Sequence, residues 1–180
     1  MTTDSNHKFS GHGDGQFFPE EFNSLGENVI FENGVLVFHP KQIAIGNNVY
    51  IGHNTILKGY YKNTMTIGDN TWIGQGCFFH SAGGLSIGTN VGIAPHVKIL
   101  TSVHSETPVS EPVLHNELLM KEVCIEDGCD IGLGAILLPG VRVGEGAIVG
   151  AGSVVTDNIA PGAVVAGSPA RYLRQRGSKK

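Results

Sequence analysis

The sequence predicts an all-β fold, a parallel β-helix built from six-residue repeats. An aliphatic residue recurs every six positions along most of the chain, and glycine supplies 26 of the 180 residues, about double its ordinary usage. Hydrophobic residues still reach 41% of the chain, while charged residues make up 16%. This composition is typical of short buried strands joined by tight turns, because a disordered glycine-rich linker has few apolar residues.

Each repeat follows one frame. An aliphatic residue leads, glycine usually follows, Asn, Gly or Pro comes two or three places later, and a small or β-branched residue stands fifth; residues 45–50 read IGNNVY and 51–56 read IGHNTI. Apolar residues of an amphipathic helix recur at three and four positions, so a period of six instead indicates a short strand plus a corner. The leading residues are Leu25, Phe31, Val37; Ile45, Ile51, Leu57; Ile67, Ile73, Phe79; Ile87, Ile93, Ile99; Ile125, Ile131, Leu137; and Val143, Val149, Val155.

Three such repeats close one triangular coil, so the leading residues predict about six coils, with a closing rung from Pro161. Coils of this kind stack at about 4.8 Å, the spacing of paired strands. The predicted organisation is a polar, poorly ordered segment over 1–24, the β-helix over 25–170 and a basic tail over 171–180. Cys77 and Cys129 stand fifth in their repeats, which predicts buried core thiols and no covalent nucleophile.

Four interruptions of the frame fall at the same corner. Each comes after the third strand of a coil, and the longest is a protruding loop over 105–122. Insertions confined to one edge of a solenoid usually mark its binding edge. His104 ends the repeat that opens this loop, and an imidazole there can act as a general base near neutral pH.

Charge is distributed unevenly. Residues 142–180 hold all four Arg, with six basic and two acidic residues, whereas the preceding 141 residues hold six basic and fourteen acidic ones. A basic end of this kind suits the phosphates of a ligand. The net charge of −4 argues against a general nucleic-acid surface. The lack of a long apolar run and the odd number of cysteines predict a cytoplasmic protein with no membrane span.

Two stretches resemble a known family. Residues 90–104, NVGIAPHVKILTSVH, are similar to the segment of maltose and galactoside O-acetyltransferases that ends in their catalytic His. Residues 148–156 and 161–171, IVGAGSVVT and PGAVVAGSPAR, are similar to the acetyl-CoA end of the same hexapeptide-repeat acyltransferase family. The resemblance implies a left-handed β-helix, a homotrimer with active sites between subunits, acetyl-CoA as co-substrate and no metal.

Carried over residue by residue, the resemblance makes His104 the catalytic base. It assigns acetyl-CoA binding to Leu133, Ala151, Thr156, Arg171 and Arg174. The acceptor pocket is then expected to be formed by His80, Tyr60 and Tyr61 together with the 105–122 loop.

The chain also departs from the maltose-type pattern. Gly76 stands where those enzymes carry a substrate-binding Asn, Asp130 stands at a frequent Trp, and Asp157 stands at a Lys. The sugar pocket is therefore expected to differ. In outline the chain is nearer to acetyltransferases that modify cell-surface polysaccharides or nucleotide sugars.

The resulting hypothesis is direct acetyl transfer from acetyl-CoA to a sugar hydroxyl of a polysaccharide precursor, a nucleotide sugar or a simple saccharide. N-acetylation of an amino sugar is a near alternative. A γ-type carbonic anhydrase needs three His that converge on zinc, and His80, His96, His104 and His115 do not give that family's spacing. A non-catalytic β-helix scaffold stays open as the remaining class.

Overall fold

The structure, a computed structural model, describes residues 11–106, 109–110 and 112–178, which form a triangular parallel β-helix. Six complete coils are followed by part of a seventh. The strands are β1 (Ser24–Leu25), β2 (Ile30–Phe31), β3 (Leu36–Phe38); β4 (Ile43–Ile45), β5 (Tyr50–Ile51), β6 (Ile56–Lys58); β7 (Met65–Ile67), β8 (Trp72–Ile73), β9 (Phe78–His80); β10 (Leu85–Ile87), β11 (Gly92–Ile93), β12 (Lys98–Ile99); β13 (Ser102–His104), β14 (Leu118–Met120); β15 (Val123–Ile125), β16 (Asp130–Ile131), β17 (Ile136–Leu137); β18 (Arg142–Val143), β19 (Ile148–Val149), β20 (Val154–Val155); β21 (Ala163–Ala166) and β22 (Arg171–Gln175). Short 3₁₀ helices span Pro19–Glu21, Pro40–Gln42 and Val113–His115.

The coils stack in register and give the prism three faces. The first strands of the coils form one six-stranded sheet, the third strands form another, and the second strands form an eight-stranded sheet that ends with β21 and β22. Ile45 pairs with Ile67 and Ile51 pairs with Ile73, so leading residues align from coil to coil. The predicted repeat frame is confirmed, and the seventh coil begins with a bridge from Val143 to Ile159.

The leading residues form the core. From the second coil to the sixth, each is at most 3% exposed, and Phe79 is the largest of them to be fully buried. The fifth positions also point inward, and Cys77 and Cys129 are both buried, as the frame predicts. The Cys129 thiol donates to the Gly144 carbonyl oxygen at 3.1 Å, so even this small core residue has a hydrogen-bond partner.

Asparagine side chains form a ladder at the corner between the first and second faces. Asn28, Asn48, Asn70 and Asn90 all have φ near +55°, a left-handed conformation that Asn tolerates better than most residues. The Asn28 amide donates to Asn48 Oδ1 at 2.8 Å, and the Asn48 amide donates to Asn70 Oδ1 at 2.9 Å. One residue type therefore supplies both the corner conformation and a link between coils.

Both ends of the helix are covered by their own chain. Phe17, Phe22 and Phe31 pack ring against ring over the first coil, with centroids 4.9–5.7 Å apart. The described part of the 1–24 segment therefore differs from the poorly ordered leader expected from its polarity, because two phenylalanines bury apolar area there; residues 1–10 lie outside the described residues. At the other end, β22 pairs antiparallel with β21, so much of the expected tail is a strand.

The long excursion is a β-hairpin, here called the arm (residues 102–120). Its strands β13 and β14 pair antiparallel, with His104 opposite Leu118, and the 3₁₀ helix Val113–His115 lies between them. Strand pairing thus defines the backbone of the arm at 102–104 and 118–120, beyond the corner where the loop was predicted. Within the described ranges no helix is long and apolar enough to cross a membrane.

Two substitutions of Asn48 separate the ladder from the corner conformation. Asn48→Gly keeps the positive φ and loses the side-chain bonds, so we expect a loss of about 1 kcal/mol in the free energy of unfolding. Asn48→Ala also places a Cβ in the left-handed region and should lose about 1–2 kcal/mol more. Scanning calorimetry of both variants measures the difference, and an Ala variant as stable as the Gly variant contradicts this account.

Candidate active site

One column of side chains runs along the edge of the third face, beside the corner that carries the insertions. Lys58 pairs with His80 between adjacent coils, and the register of Ile99, Leu137 and Val155 continues the column through Leu100 and Leu138 to Thr156. His80 and Thr156 are three coils apart, about 14 Å at the usual strand spacing. The edge therefore connects a predicted acceptor residue to a predicted cofactor residue.

The arm leaves this edge at Thr101, a fully buried residue. The Thr101 hydroxyl donates to the His80 carbonyl oxygen at 2.7 Å and accepts from the Gly83 N–H at 2.9 Å. The Thr101 carbonyl oxygen accepts from the Lys121 N–H at 2.9 Å, which fixes the return of the chain. Any side chain at Gly83 would collide with the Thr101 carbonyl oxygen. The base of the arm is thus fixed directly against the strand that carries His80.

His104 is the last residue of β13 and is half-buried. Its Nδ1 lies 3.2 Å from the Asn116 carbonyl oxygen. Because a carbonyl oxygen only accepts, Nδ1 carries the proton, and Nε2 of the neutral ring presents its lone pair. The Asn116 amide donates to the Ser105 carbonyl oxygen at 2.8 Å. The hairpin therefore fixes the tautomer in which Nε2 can accept a proton.

The three residues predicted to bind the acceptor lie together. The rings of Tyr60 and Tyr61 have centroids 4.4 Å apart, and Tyr60 meets His80 edge-on at 6.0 Å. Burial lowers the pKa of His80, and the nearby positive charges of Lys58 and His12 lower it further. Burial also raises the pKa of Tyr60, with a further contribution from its hydrogen bond to Tyr61. Near neutral pH this group presents uncharged rings.

Thr156 and Arg171 line one cavity of about 290 Å³. The Thr156 hydroxyl donates to Asp157 Oδ2 at 2.9 Å, and Arg171 Nη1 lies 3.4 Å from the same oxygen. Arg174 is not part of this cavity, and its guanidinium donates to the Gln175 carbonyl oxygen. Asp157, which replaces the family's Lys, therefore holds Arg171 beside Thr156 and offsets part of its charge.

Leu133 and Ala151 occupy a different corner, between the second and third faces. Both are exposed, and the Gly152 N–H donates to the Leu133 carbonyl oxygen at 2.8 Å, which stacks one corner on the other. Half-buried Ile136 and Val154 of the third face lie between this corner and Thr156. Within one chain, the residues predicted to bind the cofactor therefore lie at two opposite edges of the apolar third face.

A second cavity lies on the first face and was not found from the sequence. It measures about 500 Å³, and its lining includes Ser86, Cys124 and the carboxyl side chains of Glu126, Asp127 and Glu145. The Ser86 hydroxyl lies 3.3 Å from the Cys124 sulfur. In the sequence, Cys124 lies between Val123 and Ile125, which both point inward. Because side chains alternate along a strand, the Cys124 side chain points outward, and this alternation could have predicted its position on the face.

Among the described residues, no hydrogen bond or ring contact joins His53, His96 or His115 to His104. His96 lies at the corner between the second and third faces, against Gly76, and His53 pairs with Glu32 at 3.3 Å. His115 is exposed in the arm's 3₁₀ helix. In the described part of the chain, no group of three His, Cys, Asp or Glu side chains could hold a metal ion.

Comparison with known proteins shows which proteins this chain is similar to. Residues 122–157 match the repeat family described as the hexapeptide repeat of succinyl-transferase. The chain is 34% identical over 158 residues to the galactoside O-acetyltransferase of Escherichia coli K12, a match that covers 87% of this chain and 65% of that protein. The chain is therefore similar to the hexapeptide-repeat acyltransferases. It spans less than two thirds, 55% and 65%, of the length of two curated relatives that it matches.

Solved structures of the hexapeptide-repeat family share the fold. A mutant of AntD, an N-acyltransferase from Bacillus cereus in complex with dTDP-4-amino-4,6-dideoxyglucose and coenzyme A, is 25% identical, with a TM-score of 0.78 over 88% of this chain and 86% of that one. The acetyltransferase VCA0836 of Vibrio cholerae, complexed with acetyl-CoA, is 26% identical, with a TM-score of 0.66 over 88% and 74%. A superposition of this extent includes the hand of the coil, so the left-handed β-helix is confirmed.

The three cysteines of this protein should differ in their rates of reaction with a thiol reagent. Burial raises the pKa of Cys77 to about 11 and also raises the pKa of Cys129, so at pH 8 only about 0.1% of Cys77 is thiolate. Half-buried Cys124 should therefore react first with Ellman's reagent in the folded protein, and all three thiols should react after denaturation. Cys124→Ser identifies the fast thiol, and equal rates for Cys77 and Cys124 contradict this assignment.

Proposed function

We propose that this protein transfers an acetyl group from acetyl-CoA directly to a sugar hydroxyl, with His104 as the general base. The observation that carries the proposal is the contact between His104 Nδ1 and the Asn116 carbonyl oxygen, 3.2 Å long. It leaves Nε2 to accept a proton on the arm, beside the edge that joins His80 to Thr156. The similarity to hexapeptide-repeat acyltransferases supports acyl transfer as the reaction class.

The proposed reaction needs little from the protein besides position. Acetyl-CoA supplies an acetyl group already activated as a thioester. The acceptor hydroxyl donates a hydrogen bond to His104 Nε2, which takes the proton as the oxygen attacks the thioester carbonyl carbon. The C–S bond then breaks, and the imidazolium returns the proton to the sulfur, so that coenzyme A leaves as the free thiol. The imidazolium that forms is stabilised because its Nδ1–H bond to the Asn116 carbonyl oxygen becomes charge-assisted. A backbone carbonyl can thus orient the base without a carboxylate partner.

The acceptor is proposed to bind at His80, Tyr60 and Tyr61. Aromatic rings offer apolar faces with polar tips, a combination that suits the face of a sugar ring and its hydroxyls. Thr101 contacts the His80 backbone at 2.7 Å and precedes His104 by three residues, about 10 Å of extended chain. N-acetylation stays the near alternative, since AntD is an N-acyltransferase and an amine acceptor uses the same base.

Acetyl-CoA is proposed to lie along the third face, because its candidate residues stand on both edges of that face. Leu133 and Ala151 flank one edge, while Thr156 and Arg171 flank the other, with Arg174 on β22. The corner glycines Gly134 and Gly152 have open space around them, so a ligand can approach the backbone there.

The acting unit is proposed to be a homotrimer, with a neighbouring copy forming the other wall of each cleft. The half-buried apolar residues of the third face favour such a cover; they are Leu36, Ile56, Phe78, Ile136 and Val154. The cytoplasmic location stays a prediction.

Removal of His104 tests the chemical step. A positioned general base contributes roughly a hundredfold to ten-thousandfold, so His104→Ala and His104→Asn should lose that much in kcat. The KM for acetyl-CoA and the melting temperature should change little, because the imidazole is only half-buried. His115→Ala, an exposed His of the same arm, is the matched control and should keep full turnover. Near-normal kcat in His104→Ala contradicts the mechanism.

Charge reversal at Arg171 and Arg174 tests the cofactor end. Each Arg→Glu change replaces an attraction for phosphate with a repulsion, so the Kd for coenzyme A should rise about tenfold or more. Titration calorimetry measures the Kd. Arg176→Glu, which alters an exposed Arg bonded to the Gly146 carbonyl oxygen on another corner, should leave it unchanged. If neither Arg171→Glu nor Arg174→Glu affects binding, the phosphates bind elsewhere.

A further inference from the structure

A group of basic and aromatic side chains lies on the third-face edge below the arm, at the first three coils. It consists of His12, His39, Lys58, Tyr60 and His80 and is here called the edge cluster. The rings of His12 and His39 meet edge-on with centroids 6.0 Å apart, and those of Tyr60 and His80 do the same at 6.0 Å. Lys58 pairs in register with His80 on one side and with Phe38, the residue before His39, on the other, so the two ring pairs lie on neighbouring coils.

The edge cluster is basic in an otherwise acidic body. Burial lowers the pKa of His80, the nearby Lys58 and His12 side chains lower it further, and no carboxylate of the described residues acts on it. Asp14 is the acidic residue nearest to His12 in sequence, and its carboxylate accepts from the Gln16 N–H at 3.0 Å. Lys62 adds a further ammonium group, 5.5 Å from the Tyr61 ring centroid. This charge contrasts with the excess of acidic residues before residue 142.

His80 presents one nitrogen outward. Its Nδ1 is buried and has no hydrogen-bond partner among the described residues. Its Nε2 also has no partner there, but Nε2 is not buried. A buried polar atom without a hydrogen bond lowers the stability of the folded state. The chain therefore gains no hydrogen bond by holding the His80 ring in this orientation. Nε2 is therefore the His80 nitrogen that a ligand can reach, on the strand next to the one that carries Lys58.

We infer that the edge cluster binds a phosphate group carried by the acceptor, so that the acceptor is a sugar phosphate or a nucleoside diphosphate sugar. This rests on the proposed function. The Lys58 ammonium has no ion pair among the described residues. A neutral sugar offers it only hydroxyl oxygens, whereas the anionic oxygens of a phosphate form stronger, charge-assisted bonds with ammonium and imidazole donors. Tyr60 and Tyr61 add ring faces beside the same donors. The contact of Thr101 with His80 places the cluster at the foot of the arm, so an acceptor held there by its phosphate directs its sugar towards His104.

Binding without coenzyme A tests the inference. Titration calorimetry of the full-length protein with glucose, glucose 1-phosphate and UDP-glucose should show binding of one or both phosphates and much weaker binding of glucose. Preference between the two phosphate probes identifies the source of the group. Binding should weaken as salt is raised, because exposed charges are screened.

Matched variants locate the bound phosphate. Lys58→Met keeps the length of the side chain and removes its charge, so the Kd for the preferred phosphate probe should rise about tenfold. Arg176→Gln makes the same charge change on another corner and should leave that Kd unchanged. Arg171→Glu should also leave it unchanged, which separates the edge cluster from the coenzyme A end.

Two results overturn the inference: phosphate probes that bind no better than glucose, or a Kd that Lys58→Met changes less than twofold. A separate assay of thiol release from acetyl-CoA tests the proposed function. Acetyl transfer to glucose with no preference for the phosphates overturns the inference and leaves the acetyltransferase standing. Phosphate binding that depends on Lys58, without thiol release for any acceptor, supports the cluster and removes the proposed function.

Discussion

The backbone hydrogen bonds that join each coil to the next constrain every other feature of this protein. Each strand is only two to four residues long within the stacked coils and has no stable partner except the strand directly above or below it. A coil can therefore carry an insertion only where the chain returns to pair in register with the neighbouring coil. The corner after the third strand is that place, since the 22-residue link from Leu100 to Lys121 begins and ends at one hydrogen bond, between the Thr101 carbonyl oxygen and the Lys121 N–H. The arm and the candidate base depend on this closure.

Buried hydroxyl groups extend the same constraint to the site. Thr101 bonds to the backbone of the preceding coil at both His80 and Gly83, so one side chain fixes the position of the arm relative to the acceptor residues. Its hydroxyl can serve two partners because it donates and accepts at once. The proposed acceptor residues and the candidate base are therefore connected through the scaffold, although no described side-chain contact joins His80 to His104.

Much of the fold could be predicted because each leading residue must point inward, and a break in the sixfold spacing shows at once where the chain protrudes. The corner of His104 followed from this counting. Its orientation did not, because the partner is a backbone carbonyl of Asn116 twelve residues away, which no side-chain pattern encodes. The packing of Phe17 and Phe22 was also missed, since both stand in a polar segment outside the frame. The repeat frame could have predicted that Leu133 and Thr156 lie at different corners, because Leu133 follows the second strand of its coil and Thr156 follows the third strand of its coil.

The stacked coils also make distance along the edge a discrete quantity. His80 and Thr156 are separated by whole coils, each adding about 4.8 Å and about three repeats of sequence. Insertion or deletion of one complete coil between them shifts the two ends of the site by one step while every ladder stays in register. A fold of this kind can accommodate longer or shorter ligands by adding or removing one unit of chain, without redesign of either end.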